Sequence, residues 1–162
     1  MGRCFNAQEK NMAAEAFFNA EILAHRHFGI DWKADRDLRY EVKTLAELKD
    51  HEVREGAFAH LCRYEYSRGH FYRICLQDSH ILDAIVRSRS FIKLPSLLLY
   101  IAAHELVHVI RFYRGEVEFE APEEERRQEE ERVHIITQNI LQTCMNPNLK
   151  LVVDCFSNKY QI

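Results

Sequence analysis

The apolar positions change their rhythm several times along the chain. Between residues 7 and 28, Ala13, Ala14, Phe17, Phe18, Ala20, Ile22, Leu23 and Ala24 recur near the helical period and Gly29 follows as a stop, which predicts a helix. Residues 31 to 56 are mixed, with a short helix predicted from about Thr44 to Val53. Phe58 to Tyr66 and Phe71 to Leu76 are aromatic and β-favouring, and Ser67-Arg68-Gly69 between them predicts a hairpin. Asp78 or Ser79 is placed to cap a short helix through Ile81, Leu82, Ile85 and Val86.

Two stronger helices follow. One runs from Pro95-Ser96 to Tyr113 or Arg114, before Gly115, and its first half, Leu97 to Ala103, is apolar on every side. A helix of that kind belongs in the centre of a core. The next begins at Ala121-Pro122, carries Glu123, Glu124 and Glu125 at its positive dipole end, and runs to about Cys144, before Asn146-Pro147. Leu149 to Phe156 reads as a last strand. The order predicts an α+β fold in one domain over residues 1–162: a mainly helical part over 1–56, a hairpin over 57–78 and a helix pair over 95–144.

Composition narrows the class. The 162 residues are 47% hydrophobic and 29% charged, with 5 Gly and 3 Pro, enough for one packed core and incompatible with collagen-like or disordered chains. Twenty-two basic residues stand against 25 acidic ones, a net charge of -3, which lacks the basic footprint of a nucleic-acid binder. The apolar run Leu97–Ala103 falls short of the roughly 20 residues a bilayer needs, and Met1-Gly2-Arg3-Cys4-Phe5-Asn6 holds no apolar signal core. The expectation is a soluble, cytoplasmic chain with neither membrane nor nucleic acid as partner. The five cysteines, Cys4, Cys62, Cys75, Cys144 and Cys155, are odd in number and form no C-x-x-C pair, so small buried thiols are expected rather than disulfides.

The central helix contains His104-Glu105-Leu106-Val107-His108, an H-E-x-x-H pattern. Residues four apart on a helix share one face, so both imidazoles can reach one tetrahedral Zn²⁺. Glu105 sits beside the first His, positioned to take a proton from a metal-activated water and pass it to a leaving amine. Buried polar groups in an apolar helix need partners, and a metal is one way to supply them; the alternative is that His104 and His108 are satisfied core histidines or face solvent.

A hydrolytic zinc needs a third protein ligand. An extension with Gly at position 111 and His at 114 is excluded by Arg111 and Arg114. The following helix offers a Glu instead. Its apolar stripe is Val133, Ile136, Ile140 and Cys144. Glu129 and Glu130 flank that stripe, and Glu131 falls on the opposite face. Glu130 also stands four residues before His134. Glu130 is therefore the favoured third ligand, with Glu129 as the alternative and His134 as a supporting partner of the metal ligands or a ligand itself.

These residues resemble the HExxH zinc metallopeptidases, in a small single-domain, gluzincin-like form. The resemblance covers His104 to His108 closely and Glu130 to His134 loosely, and the expected Asp four residues after the ligand Glu is His134 here. It implies a zincin-like α+β fold, with a small antiparallel sheet packed on the H-E-x-x-H helix and the following ligand helix. It also implies one zinc per chain, hydrolysis of peptide bonds in a peptide or protein substrate, and a sheet edge where that substrate adds as a strand, for which Phe71 to Leu76 is the expected strand.

His80, just after the hairpin, is a candidate for stabilising negative charge on a substrate, or simply a surface His at a helix start. Arg111, three residues past His108 on the same face, is a candidate for binding a substrate carboxylate or for pairing with the acidic helix. Two other classes compete. Glu105-x-x-His108 and Glu131-x-x-His134, with Glu15 and Glu21 on the first helix, follow the ligand grammar of di-iron carboxylate four-helix bundles. A regulatory module that binds zinc without peptidase activity carries the same motif. Oligomeric state is not legible in the chain.

Overall fold

A computed structural model describes residues 3–67 and 69–156; Met1, Gly2 and Arg68 of the predicted turn lie outside the described residues. Helix α1 spans Ala7–Phe28. Asn6 opens it with a reciprocal cap: its side-chain oxygen accepts from the Glu9 N–H, and the Glu9 carboxylate accepts from the Asn6 N–H. Gly29 closes it at φ 68°, a left-handed position that glycine takes without strain. The buried face of α1 is mostly small, Ala13, Ala16, Ala20 and Ala24 beside Phe17 and Leu23, which lets it pack closely along the central helix.

Among the described residues the sheet has three strands: β1 (Tyr40–Lys43), β2 (Ala59–Tyr66) and β3 (Gly69–Leu76), in the order β1-β3-β2. The hairpin β2–β3 is antiparallel, pairing Ala59 with Leu76 and Tyr66 with Gly69, as its turn residues predict. The sheet as a whole is mixed, not antiparallel, because β1 pairs parallel to β3 from Tyr40–Tyr72 to Lys43–Cys75. Phe71 to Leu76 therefore lies in the central strand, hydrogen-bonded on both sides, and cannot be the open edge; β1 and β2 form the edges. A four-residue strand with Glu41 and Lys43 at alternate positions offers little apolar signal, and only its partner makes it a strand.

In place of the predicted helix over Thr44–Val53, two single 3₁₀ turns form, Leu45–Glu47 and Asp50–Glu52. Each is closed by a Glu reaching back to a backbone N–H, Glu47 to Thr44 and Glu52 to Lys49. Helix α2 is Asp78–Arg87. Asp78 does not cap it. Its carboxylate is fully buried and accepts from the Phe5 N–H at 2.7 Å and the Leu45 N–H at 3.0 Å, tying three segments together.

Helix α3, Leu94–Tyr113, is the axis of the molecule and packs against α1, α4 (Glu123–Leu141) and α5 (Pro147–Phe156). It is long and apolar enough to cross a membrane, yet 78% of that stretch is buried within the protein, as a central core helix must be. Leu149–Phe156, expected as a strand, is helical: Asn146 accepts from the Leu149 N–H, Pro147 suits a first turn, and Leu149, Val152 and Val153 fall on one buried face. Packing overrides the β preference of Val152 and Val153 there.

Candidate metal centre

Tertiary packing brings α3 and α4 together so that five sequence-predicted side chains meet. Both Nε2 atoms of the H-E-x-x-H helix turn to one carboxylate. Glu130 Oε2 lies 3.2 Å from His104 Nε2, and Glu130 Oε1 lies 2.9 Å from His108 Nε2. The two imidazole rings stand edge to face, centroids 4.9 Å apart. Glu105 Oε2 is 4.0 Å from His104 Nε2. His134, one turn after Glu130, places its ring 4.7 Å from that of His104 and shares a hydrogen bond of 2.6 Å between its Nδ1 and the Tyr100 hydroxyl. Two overlapping ligand sets result, His104–Glu105–His108 and His104–Glu130–His134, each with donor atoms within 4.8 Å of one another.

Burial sets the electrostatics. His104, Glu105, His108 and His134 are all buried; Glu130, with 29% of its side chain exposed, is the most open. Desolvation pushes the Glu105 carboxyl up to about 7, so it exchanges a proton near neutrality. Burial opposes a charge on His108, but the Glu130 carboxylate outweighs it and lifts the imidazole to about 9. Burial likewise works against the Glu130 charge, and the two histidines overcome it, holding that carboxyl far below its usual range. Burial lowers His104 and takes His134 down to about 4. His108 and Glu130 thus form an ion pair beside two neutral imidazoles and a carboxyl poised near neutral pH.

The donor set suits zinc: two imidazole nitrogens and a carboxylate on converging faces, with a third imidazole adjacent. One atom departs from the usual zinc environment. His104 Nδ1 is buried and has no hydrogen-bond partner among the described residues, where a ring held on a metal normally donates its other N–H to an acceptor.

The other candidates lie elsewhere. Glu129, one position from Glu130, is clamped by Arg111, whose Nε and Nη2 donate to its two oxygens at 2.5 and 3.0 Å. The third arm of Arg111 reaches Glu116 at 2.7 Å. Arg111 is thereby paired with the acidic helix. His80 packs its ring on Phe58, centroids 4.9 Å apart, and belongs to neither ligand set. Glu15 and Glu131 are exposed, and Glu21 accepts from the Tyr40 hydroxyl at 2.6 Å, so the second E-x-x-H element does not assemble a di-iron ligand set.

An aromatic frame that the H-E-x-x-H pattern does not include surrounds the site. Tyr100 precedes His104 by one turn and holds His134; Phe112 follows His108 by one turn and stacks on it, centroids 6.0 Å apart and planes 13° from parallel. The same four-residue spacing that revealed the histidines marks both. Compared with protein-family models, curated proteins and solved structures, the chain matches none.

Proposed function

We propose that the protein is a zincin-like, zinc-dependent hydrolase of peptide bonds, holding one zinc per chain through His104, His108 and Glu130. The observation that carries this reading is the convergence of two Nε2 atoms of one helix on the Glu130 carboxylate of another, with Glu105 buried alongside. His104, His108 and Glu130 would hold the zinc, which would supply a Lewis acid and lower the pKa of water toward about 7. Glu105, raised to about 7 by burial, is matched to accept a proton from that water at neutral pH and to return it to the departing amine. Tyr100 and Phe112 hold the rings of His134 and His108 in place, and α1 and α5 keep bulk water from the other sides of α3. An extended peptide would pair with the open edge of β2, the edge strand that contacts α3.

The test is metal analysis of purified protein followed by cleavage of a peptide library. One zinc per chain and a Glu105→Gln variant that binds zinc but cleaves nothing would support the reading. If Glu105→Gln loses the metal, Glu105 is a ligand and the assignment of a general base falls.

A second reading has its own support. His134 comes within ligand reach of His104 and Glu130, and a fourth protein ligand would close the coordination a hydrolase needs open. The protein would then be a zinc-binding module without peptidase activity. Cobalt substitution separates the two: a closed four-ligand site gives a visible spectrum indifferent to small anions such as azide, whereas an open one shifts.

A further inference from the structure

Arg63 differs from the other arginines packed into this protein. Ala59, Leu61 and Arg63 alternate along one face of β2, opposite the buried Leu76, Ile74 and Tyr72 of β3. The two comparable arginines each hold a pair of carboxylates: Arg73 holds Glu41 and Glu52, and Arg111 holds Glu116 and Glu129. Arg63 is half-buried, and no carboxylate of the described residues lies within ion-pair distance of it. Its guanidinium lies over the Phe119 ring, 4.9 Å from the centroid, beside the Tyr72 hydroxyl. A guanidinium over a ring that gives one N–H to the Tyr72 hydroxyl still has further in-plane N–H donors for a planar anion.

Arg63 lines a half-open cavity of about 360 Å³, walled by Phe112, Val117 and Phe119 with Glu118 and Glu120 exposed at its rim. Phe112 is a shared wall: one neighbour of its ring is Phe119, at 5.1 Å, and another is His108 of the candidate metal centre. A group in the cavity therefore sits one aromatic ring away from the centre, within the span of a few extended residues.

We propose that this cavity is an anion subsite of the metal centre, in which Arg63 binds one carboxylate of the peptide, either its free C-terminus or an Asp or Glu side chain. The inference rests on the peptidase reading for its ligand being a peptide. Glu118 and Glu120 at the rim oppose a second negative charge, which selects a carboxylate over a phosphate. A partly desolvated cation that holds no carboxylate gains a charge-assisted, two-pronged hydrogen bond when such a group arrives.

The experiment measures binding to the zinc-loaded Glu105→Gln protein by fluorescence anisotropy, so that no turnover is needed. The probes are labelled pools of neutral hexapeptides ending in a free carboxylate or an amide, an amide-ended pool with one internal Glu, and the same pool with phosphoserine at that position. The free-acid or the Glu-containing pool should bind at least roughly tenfold more tightly than the neutral amide pool, and which of them does so identifies the source of the carboxylate. Adding Arg63→Gln should abolish the preference, and Arg63→Lys should restore part of it. Equal affinity for all three of the free-acid, Glu-containing and neutral amide pools, or no binding of any pool at millimolar concentration, overturns the assignment without any need for a variant. Tighter binding of the phosphoserine pool also overturns it. Carboxylate-dependent binding with no cleavage by the wild-type protein would leave Arg63 assigned and remove the peptidase reading; cleavage indifferent to carboxylates would do the reverse.

Discussion

Arg111 holds both oxygens of Glu129, and this contact decides which of two adjacent glutamates faces the histidines. Glu129 is committed to the guanidinium at 2.5 and 3.0 Å, while Glu130, the next residue, bridges His104 and His108. A helix turns about 100° per residue, so the two carboxylates cannot serve the same partner, and the arginine has taken one of them.

The pair separates stability from metal binding. Glu130→Gln should weaken zinc binding by more than the roughly 10- to 100-fold typical of losing a supporting contact. Glu129→Gln should leave zinc affinity within a few-fold but destabilise the protein by about 3 kcal/mol, because Arg111 keeps its buried charge and loses its main partner. Zinc titration against a competing chelator and urea denaturation of the metal-free variants measure the two effects. The same loss of zinc affinity in both variants would contradict the division.

Zinc affinity should depend steeply on pH. His108 is held protonated up to about 9 by Glu130, and that proton must leave before Nε2 can bind a metal. Affinity is expected to rise by about tenfold per pH unit from neutrality toward pH 9 and then level off. The metal-free fold follows the opposite sign. A raised His108 contributes stability that is full below about 6.5 and is lost as the pH climbs through 9, and a raised Glu105 contributes stability that is full below about 4.5 and is lost as the pH climbs through 7. Chelator-treated protein should therefore lose stability on going from pH 6 to pH 9, while zinc-loaded protein gains from tighter binding; thermal melts in both states check this.

On the outer face of the sheet, Glu52 is fully buried and receives the Arg73 guanidinium at 2.7 Å, the Lys49 N–H at 2.8 Å and the Tyr64 hydroxyl. Burial raises its carboxyl, but these donors prevail and hold it at about 2. A lowered carboxyl contributes stability that is present above about 4.5 and disappears as the pH falls toward 2. Glu52→Gln should cost about 3 kcal/mol at pH 7 and flatten the loss of stability in that acid range, as read by denaturant titrations at pH 7, 4 and 2.5. A wild-type acid limb retained unchanged in the variant would remove Glu52 as its source.

Asp78→Ala should destabilise the fold by about 2 to 4 kcal/mol, since the Phe5 and Leu45 N–H groups both lose their acceptor. The damage is expected first at residues 3–6 and 44–47, where amide hydrogen exchange should accelerate before it does in α3. Uniform acceleration across the chain would mean that Asp78 acts only through global stability.

The local code was enough for the helices α1 to α4, the hairpin and the H-E-x-x-H face. Each of those rests on short-range physics: apolar period, glycine stops, turn residues and four-residue spacing on one helix. Glu130 and His134 were reachable by extending the same helical arithmetic to α4. Whatever depended on contacts between distant segments was not readable in this way. Lys43 and Cys75 are 32 positions apart, and their pairing makes β1 a strand, puts β3 in the middle of the sheet and moves the open edge to β2. Burial against α3 makes Leu149–Phe156 a helix although its β-branched pair reads as strand. The choice between Glu129 and Glu130 came from Arg111 on another helix, and the aromatic wall joining His108 to the Arg63 cavity came from the stacking of α3, β3 and the loop at Phe119. Spacing along one helix is fixed by its own hydrogen bonds, whereas which helix faces meet is settled only when the core packs and each buried charge must find its counterpart.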